Sequence, residues 1–200
     1  MEHLFIVVFF KPNPSTTTRL RDQYLMDMYR KRIAAIHVEL GIPQDYEHQT
    51  GLVLQQEEAD LRAIENDLYG RPQRLAMSAV EPWNQLKKHA KQDGVQLQLV
   101  SAFRSVEKQV EIIQRKISAG GRIPDILDVS AAPGYSEHHT GLALDLTTTG
   151  CKTLEHEFDQ TAAFAWLQKN ASRFSFQLSY PKDNKHGIAY EPWHWALVDS

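Results

Sequence analysis

The chain has 200 residues, the length of one compact domain, since a single hydrophobic core saturates at roughly 250 to 300 residues. Its 42% hydrophobic, 10% aromatic and 24% charged residues exclude a disordered, collagenous or coiled-coil chain. The balance of 22 Lys plus Arg against 25 Asp plus Glu, net -3, offers no basic field for phosphates, so nucleic acid is not an expected partner, and the lone Cys151 excludes an intrachain disulfide or a thiolate metal site.

Leu4 to Phe10 is the longest apolar run, far below the 18 or so residues of a membrane span, and it follows Glu2 and His3 instead of a basic segment. It reads as a buried strand in preference to the remnant of an export segment. No signal peptide and no membrane span are expected. The chain as given reads as cytoplasmic, whereas a longer native start would place it in the periplasm or cell envelope.

Lys11 to Thr18 is rich in breakers, and Thr18 is placed to cap a helix that runs from Leu20 to Leu40 and buries Leu25, Met28, Ile33, Ile36 and Leu40. Residues 42 to 55 read as irregular, Glu57 to Leu68 as a short acidic helix, and Tyr69 to Pro72 as a turn. Ser78 and Glu81 form a capping box for a helix that reaches Gln92, with Pro82 in its first turn. Asp93-Gly94 then turns the chain into a half-buried strand from Val95 to Ser101. Ser105 caps a helix that packs Val106, Val110, Ile113 and Ile117 and stops at Gly120-Gly121, so Ala102-Phe103-Arg104 lies at a strand-to-helix junction.

A loop is expected from Gly120 to Glu137. Leu142, Leu144 and Leu146 then alternate with Ala143 and Asp145, a strand with an acid on its non-leucine face. A helix over Phe158 to Asn170, a strand over Phe174 to Tyr180 and the run Ile188 to Val198 complete the chain. Helices first and an antiparallel sheet later give the α+β class.

Nine histidines are present, and His138, His139 and His194 lie beside carboxylates in turn-like or strand-like sequence. The other six, His3, His37, His48, His89, His156 and His186, read as surface or hydrogen-bonded groups. A catalytic zinc site needs three N or O ligands and one open position. Ser136-Glu137-His138-His139-Thr140-Gly141-Leu142-Ala143-Leu144-Asp145 offers two of them, and Glu191-Pro192-Trp193-His194 a third. In a straight strand residues 191 and 194 face opposite sides, so a bend at Pro192 is required to turn both toward one ion. On residue chemistry alone, an ordinary His-His pair and a Trp-flanked histidine are the stronger explanation of these segments.

The combined pattern, Ser136-x-His138-x-x-Gly141-x-Ala143-x-Asp145 and then Glu191-x-Trp193-His194, resembles the zinc D-alanyl-D-alanine carboxypeptidases of the VanY type, with LdcB-like L,D-carboxypeptidases and the hedgehog signalling domain as relatives. Ser101 to Ser105 with Gln109, and Tyr180-Pro181, are similar to further segments of that family. The resemblance covers residues 78 to 198. It implies a small antiparallel sheet that carries the zinc site between flanking helices. Residues 1–70 match nothing in that family and their role stays open; from their own strand and helix signals, residues 1–77 are expected as a mainly helical extension packed on a 78–198 core, one compact domain overall.

The resemblance further implies one zinc ion held by His138, Asp145 and His194, with Glu191 as general base and Arg104 on the substrate's anionic end or the developing oxyanion. It implies Gln109, Ser136, Tyr180 and Trp193 as substrate contacts, and a peptidoglycan stem peptide or muramyl peptide precursor as substrate. His139 replaces the glutamine frequent in the family and reads as a residue behind or beside the site. Cys151 reads as an unreactive thiol. Removal of the terminal D-alanine is the expected reaction. An L,D-carboxypeptidase, a dipeptidase, a peptidoglycan endopeptidase and a zinc-stabilised binding module without turnover are the alternatives. Glu191 argues against the last, because a module without chemistry has no need of a carboxylate at the open zinc position.

Overall fold

The computed structural model describes residues 16–198. The strand expected at Leu4 to Phe10 lies outside them. In chain order the described elements are α1 (Thr16–Leu40), α2 (Tyr46–Thr50), β1 (Leu61–Ala63), β2 (Arg74–Ala76), α3 (Met77–Gln92), β3 (Gln98–Ser101), α4 (Val106–Ser118), α5 (Ile123–Asp128), β4 (Ala143–Thr147), α6 (Ala162–Asn170), β5 (Phe176–Leu178) and β6 (His194–Leu197). Single 3-10 turns lie at Glu137–Thr140, His156–Gln160 and Ala171–Phe174. The class is α+β, and among the described residues no helix is long and apolar enough to cross a membrane.

Four strands form an antiparallel sheet in the order β3-β4-β6-β5. Leu144 and Leu146 of β4 and Trp195 of β6 turn one face toward Trp83 and Leu86 of α3 and Phe164 and Leu167 of α6, forming the main core. Alternation sends Asp145 and His194 to the opposite face. On that side a second apolar cluster joins Ile33 and Leu40 of α1, Tyr46 of α2, Val106 and Ile113 of α4 and Ile126 of α5 with Tyr135, Tyr180 and Ile188. The polar site therefore lies between two packed apolar bodies.

Several local expectations are corrected. The segment expected as an acidic helix, Glu57 to Leu68, contains β1, which pairs antiparallel with β2. Its acids have distant partners: Glu57 Oε1 accepts from the Val106 amide at 2.7 Å and Oε2 from Arg32. The Ser78 capping box does not form. Helix α3 begins two residues earlier, and the Met77 amide donates to the Asp60 carbonyl at 3.3 Å, so main chain from far along the sequence replaces the side-chain cap and Pro82 falls in the second turn. Ser105 does cap α4, accepting from the Lys108 amide.

In α1 Ile33 and Leu40 are buried, whereas Leu25 and Met28 are about half exposed, so only its C-terminal half packs as expected. The stretches read as loop hold α2 and α5, and the helix expected from Phe158 starts as a 3-10 turn before α6. β3 and β5 are shorter than their predicted strands.

Candidate active site and metal centre

Two tight turns bring the ligand-type side chains together. After the 3-10 turn Glu137–Thr140, Gly141 adopts φ +66, and a Cβ there would lie 2.7 Å from the Ala76 amide, so both conformation and space require glycine. The turn holds His138 and His139 just ahead of β4. Before β6, the His194 amide donates to the Glu191 carbonyl at 3.0 Å, which closes the bend expected at Pro192, and Trp195 Nε1 donates to the Pro192 carbonyl at 3.0 Å. Across the β4–β6 ladder Asp145 is paired with His194.

His138 Nε2 lies 3.1 Å from Asp145 Oδ2, and His194 Nδ1 lies 3.1 Å from Asp145 Oδ1. One ligand atom from each of these three buried residues falls within 4.8 Å of the others. The remaining ring nitrogens are engaged. His138 Nδ1 donates to the Ala102 carbonyl at 2.6 Å, and His194 Nε2 donates to Glu137 Oε2 at 2.8 Å. Each ring is thereby fixed in the tautomer that leaves the inward nitrogen free to ligate. Two imidazole nitrogens and a carboxylate match the donor set of a three-ligand zinc site.

His139, which follows a ligand-type histidine directly, faces away from the cluster and is fully buried. Its Nδ1 donates to the Arg104 carbonyl at 2.6 Å while Nε2 accepts from the Gly134 amide at 3.1 Å. The Arg104 amide in turn donates to the His138 carbonyl at 3.0 Å. Residues 102 to 104 and 138 to 139 are thus laced together by three bonds, which couples the position of the guanidinium to that of the histidine.

The electrostatics favour a cation at the cluster. Burial pushes the Asp145 carboxyl up, but His138 and His194 outweigh it and hold the group well below the ordinary carboxylate range. Burial pulls His194 down, yet the hydrogen bonds to Asp145 and Glu137 raise it to about 10. Burial leaves His138 lowered and pushes His139 down to about 4. Glu191 Oε2 lies 3.8 Å from His194 Nδ1, and burial raises its pKa to about 7. A carboxylate so tuned can take and return a proton near neutrality.

These groups open into a cavity of about 460 Å³ whose lining includes Arg104, Ser136, Tyr180, Glu191 and Trp193. Arg104 Nη2 lies 3.5 Å from Asp145 Oδ2 and 3.3 Å from Ser101 Oγ, and Nη1 donates to Gln109 Oε1 at 3.0 Å. Gln109 is buried behind the guanidinium, with its amide nitrogen bound to the Ala131 carbonyl, and does not line the cavity. The Tyr180 ring is 5.0 Å from that of His194. Trp193 stacks on His156 at 5.8 Å and 13°.

Two functional candidates escaped the sequence. Glu137, to which the sequence reading assigns no role, is the carboxylate that orients His194. Its position directly before His138 was the available signal. His156, set aside as a surface histidine, lines the cavity beneath its stack with Trp193. No local pattern marks it.

The fold and this cluster define an α+β domain built around a two-histidine, one-carboxylate centre. The chain belongs to the VanY family, described as D-alanyl-D-alanine carboxypeptidase, which matches residues 72–200. YodJ of Bacillus subtilis (strain 168) is 39% identical over 113 residues, covering 54% of this chain and 41% of that protein. A D-alanyl-D-alanine carboxypeptidase of Enterococcus faecalis (strain ATCC 700802 / V583) is 34% identical over 119 residues, covering 54% and 42%. The matched segment therefore spans less than half the length of either relative.

Among solved structures, the LdcB LD-carboxypeptidase has a TM-score of 0.64 at 32% identity, covering 72% of this chain and 70% of that one. VanYB in complex with D-alanine-D-alanine gives 0.60 at 29%, covering 74% and 82%. A VanY D,D-pentapeptidase variant in complex with Zn(II) gives 0.58 at 30%, covering 74% and 86%.

Proposed function

We propose that this chain is a zinc-dependent carboxypeptidase that removes the terminal D-alanine from peptidoglycan stem peptides, with residues 78–198 as the catalytic core and the described part of residues 1–77 packed on it. The observation that carries the reading is the convergence of His138, Asp145 and His194 within 4.8 Å, with Glu191 beside them and Arg104 against Asp145. His138 Nε2, an Asp145 oxygen and His194 Nδ1 would hold the ion. When bound, zinc supplies Lewis acidity that polarises the scissile carbonyl and acidifies water.

Glu191 accepts the proton of the attacking water and returns it to the leaving amine. Arg104, its fork aimed by Gln109 and Ser101, holds the terminal carboxylate or the developing oxyanion. Gln109 contributes through Arg104 rather than by direct contact. Ser136, Tyr180 and Trp193 wall the space for the terminal residues and exclude water.

Likeness to the LdcB LD-carboxypeptidase favours a second reading, an L,D-carboxypeptidase acting on the tetrapeptide with the same residues. One experiment tests both. Zinc-loaded protein is incubated with tetrapeptide and pentapeptide stems and the products are weighed by mass spectrometry. Loss of D-alanine from the pentapeptide supports the first reading, and loss from the tetrapeptide alone supports the second. Cleavage of neither removes the enzyme assignment.

A further inference from the structure

Helix α4 presents more than Gln109 toward the site. Ile112 and Lys116, three and seven residues further on, share its face and line the cavity, with Arg115 adjacent on the lip. At a rise of 1.5 Å per residue Lys116 stands about 10 Å along the helix from Gln109, the residue that holds Arg104. The cavity thus has two cationic ends with the apolar side chain of Ile112 between them.

Among the described residues neither Arg115 nor Lys116 forms an ion pair, and Lys116 Nζ meets only the Ser130 hydroxyl, at 2.6 Å. Lys116 is half-buried. Burial lowers its pKa, as do Arg104 and Arg115, while Glu191 opposes them. Glu155 is the other carboxylate on the rim and pairs with neither cation. A partly desolvated ammonium that only a more distant carboxylate balances, with no direct ion-pair partner, gains from an anion delivered by a ligand.

We infer that Lys116, assisted by Arg115, is a specificity-determining subsite for a second carboxylate on the substrate, carried by the side chain of the third residue from the chain end. This rests on the carboxypeptidase reading, in which Arg104 takes the terminal carboxylate. From the last residue to the third from the end an extended peptide covers about 7 Å, and a side chain of glutamate length supplies the rest of the 10 Å span. Ile112 packs against the intervening backbone. The subsite therefore selects stem peptides with an acidic third-from-last residue over those in which that group is amidated or basic.

The test uses two peptides that share a D-alanyl-D-alanine end and differ only in glutamate or glutamine at the third position from the end. Dissociation constants are measured by calorimetry on zinc-loaded E191Q protein, which is designed not to turn over, and kcat/KM on wild type. The glutamate peptide should bind about tenfold more tightly. K116Q should bring it to the level of the glutamine peptide, R115Q should reduce the preference partially, and K116R should retain it. Equal binding of the two peptides, or a preference that survives K116Q, overturns the inference. If wild type cleaves neither peptide, the carboxypeptidase reading fails, and the binding comparison still decides the subsite.

Discussion

Glu137 Oε2 accepts a 2.8 Å hydrogen bond from His194 Nε2, so the residue before one ligand-type histidine orients the ring of the other. Partners of this kind fix a ligand's tautomer and raise its basicity. E137Q should keep the fold but weaken zinc binding about 10- to 100-fold, read by competition with a chromogenic chelator. Affinity within a factor of two of wild type would show that the bond does not tune the metal.

The two adjacent histidines should separate cleanly. H138A should strip the metal, because its Nε2 faces Asp145 at 3.1 Å. H139A should bind one zinc per chain and instead lose stability, about 2 to 4 kcal/mol, since it removes a packed ring and leaves the Gly134 amide and Arg104 carbonyl without partners. Metal analysis and urea denaturation check the pair. The reverse pattern would mean that the ligand register is off by one residue.

Replacing Glu191 by Gln nearly preserves shape and removes the carboxylate proposed above as the proton acceptor. Zinc content and Tm should stay close to wild type while kcat falls about 10²- to 10⁴-fold. Turnover within a few-fold of wild type would transfer the role to another carboxylate, with Glu137 the nearest.

Arg104 carries a geometric demand as well as a charge. A stem peptide amidated at its terminus should lose about thirty-fold to several thousand-fold in kcat/KM on wild type, and little on R104A, with R104K intermediate because lysine keeps the charge and lacks the fork. Equal cleavage of acid and amide by wild type would point to an endopeptidase.

Asp67 is the anchor of the β1–β2 connection. Its carboxylate accepts from the Tyr69 and Arg71 amides, from Arg71 Nε and from Gln73 Nε2. Burial opposes ionisation, but these bonds prevail and leave the group below the ordinary carboxylate pKa. A depressed folded pKa contributes stability above the unfolded value, about 3.9, and that contribution is lost as pH falls through the folded value. D67N should therefore be less stable than wild type by about 1 to 3 kcal/mol at neutral pH, with the gap narrowing below about pH 4 in denaturation curves. A gap that widens on acidification would contradict the assignment.

What the sequence disclosed and what it hid follow one division. Elements whose cues are contiguous, such as Ser105 capping α4 or Gly141 turning His138 into β4, were legible because cue and consequence lie within a few residues. The two halves of the site were legible only as a combined motif through the family resemblance, and the bend at Pro192 followed from strand alternation once residues 191 and 194 were placed on one ion. Partners supplied by distant chain were not legible. Glu57 and Glu58 suggest a helix locally, yet Glu57 caps α4 and the Glu58 amide donates to the His139 carbonyl at 2.9 Å. The role of Glu137 was hidden in the same way, because its partner stands 57 residues further along.

Asp145 and His194 face each other across a single rung of the β4–β6 ladder. A slip of one residue would set Trp195 opposite Asp145 and swing the imidazole into the apolar core under α3 and α6. Only a sheet zipped in the right frame presents all three donors on one side. A bound ion would then act as a proofreader of strand alignment: it would reward the correctly threaded chain and find no foothold on a misaligned one, so metal uptake during refolding would report fidelity of assembly before any substrate is present.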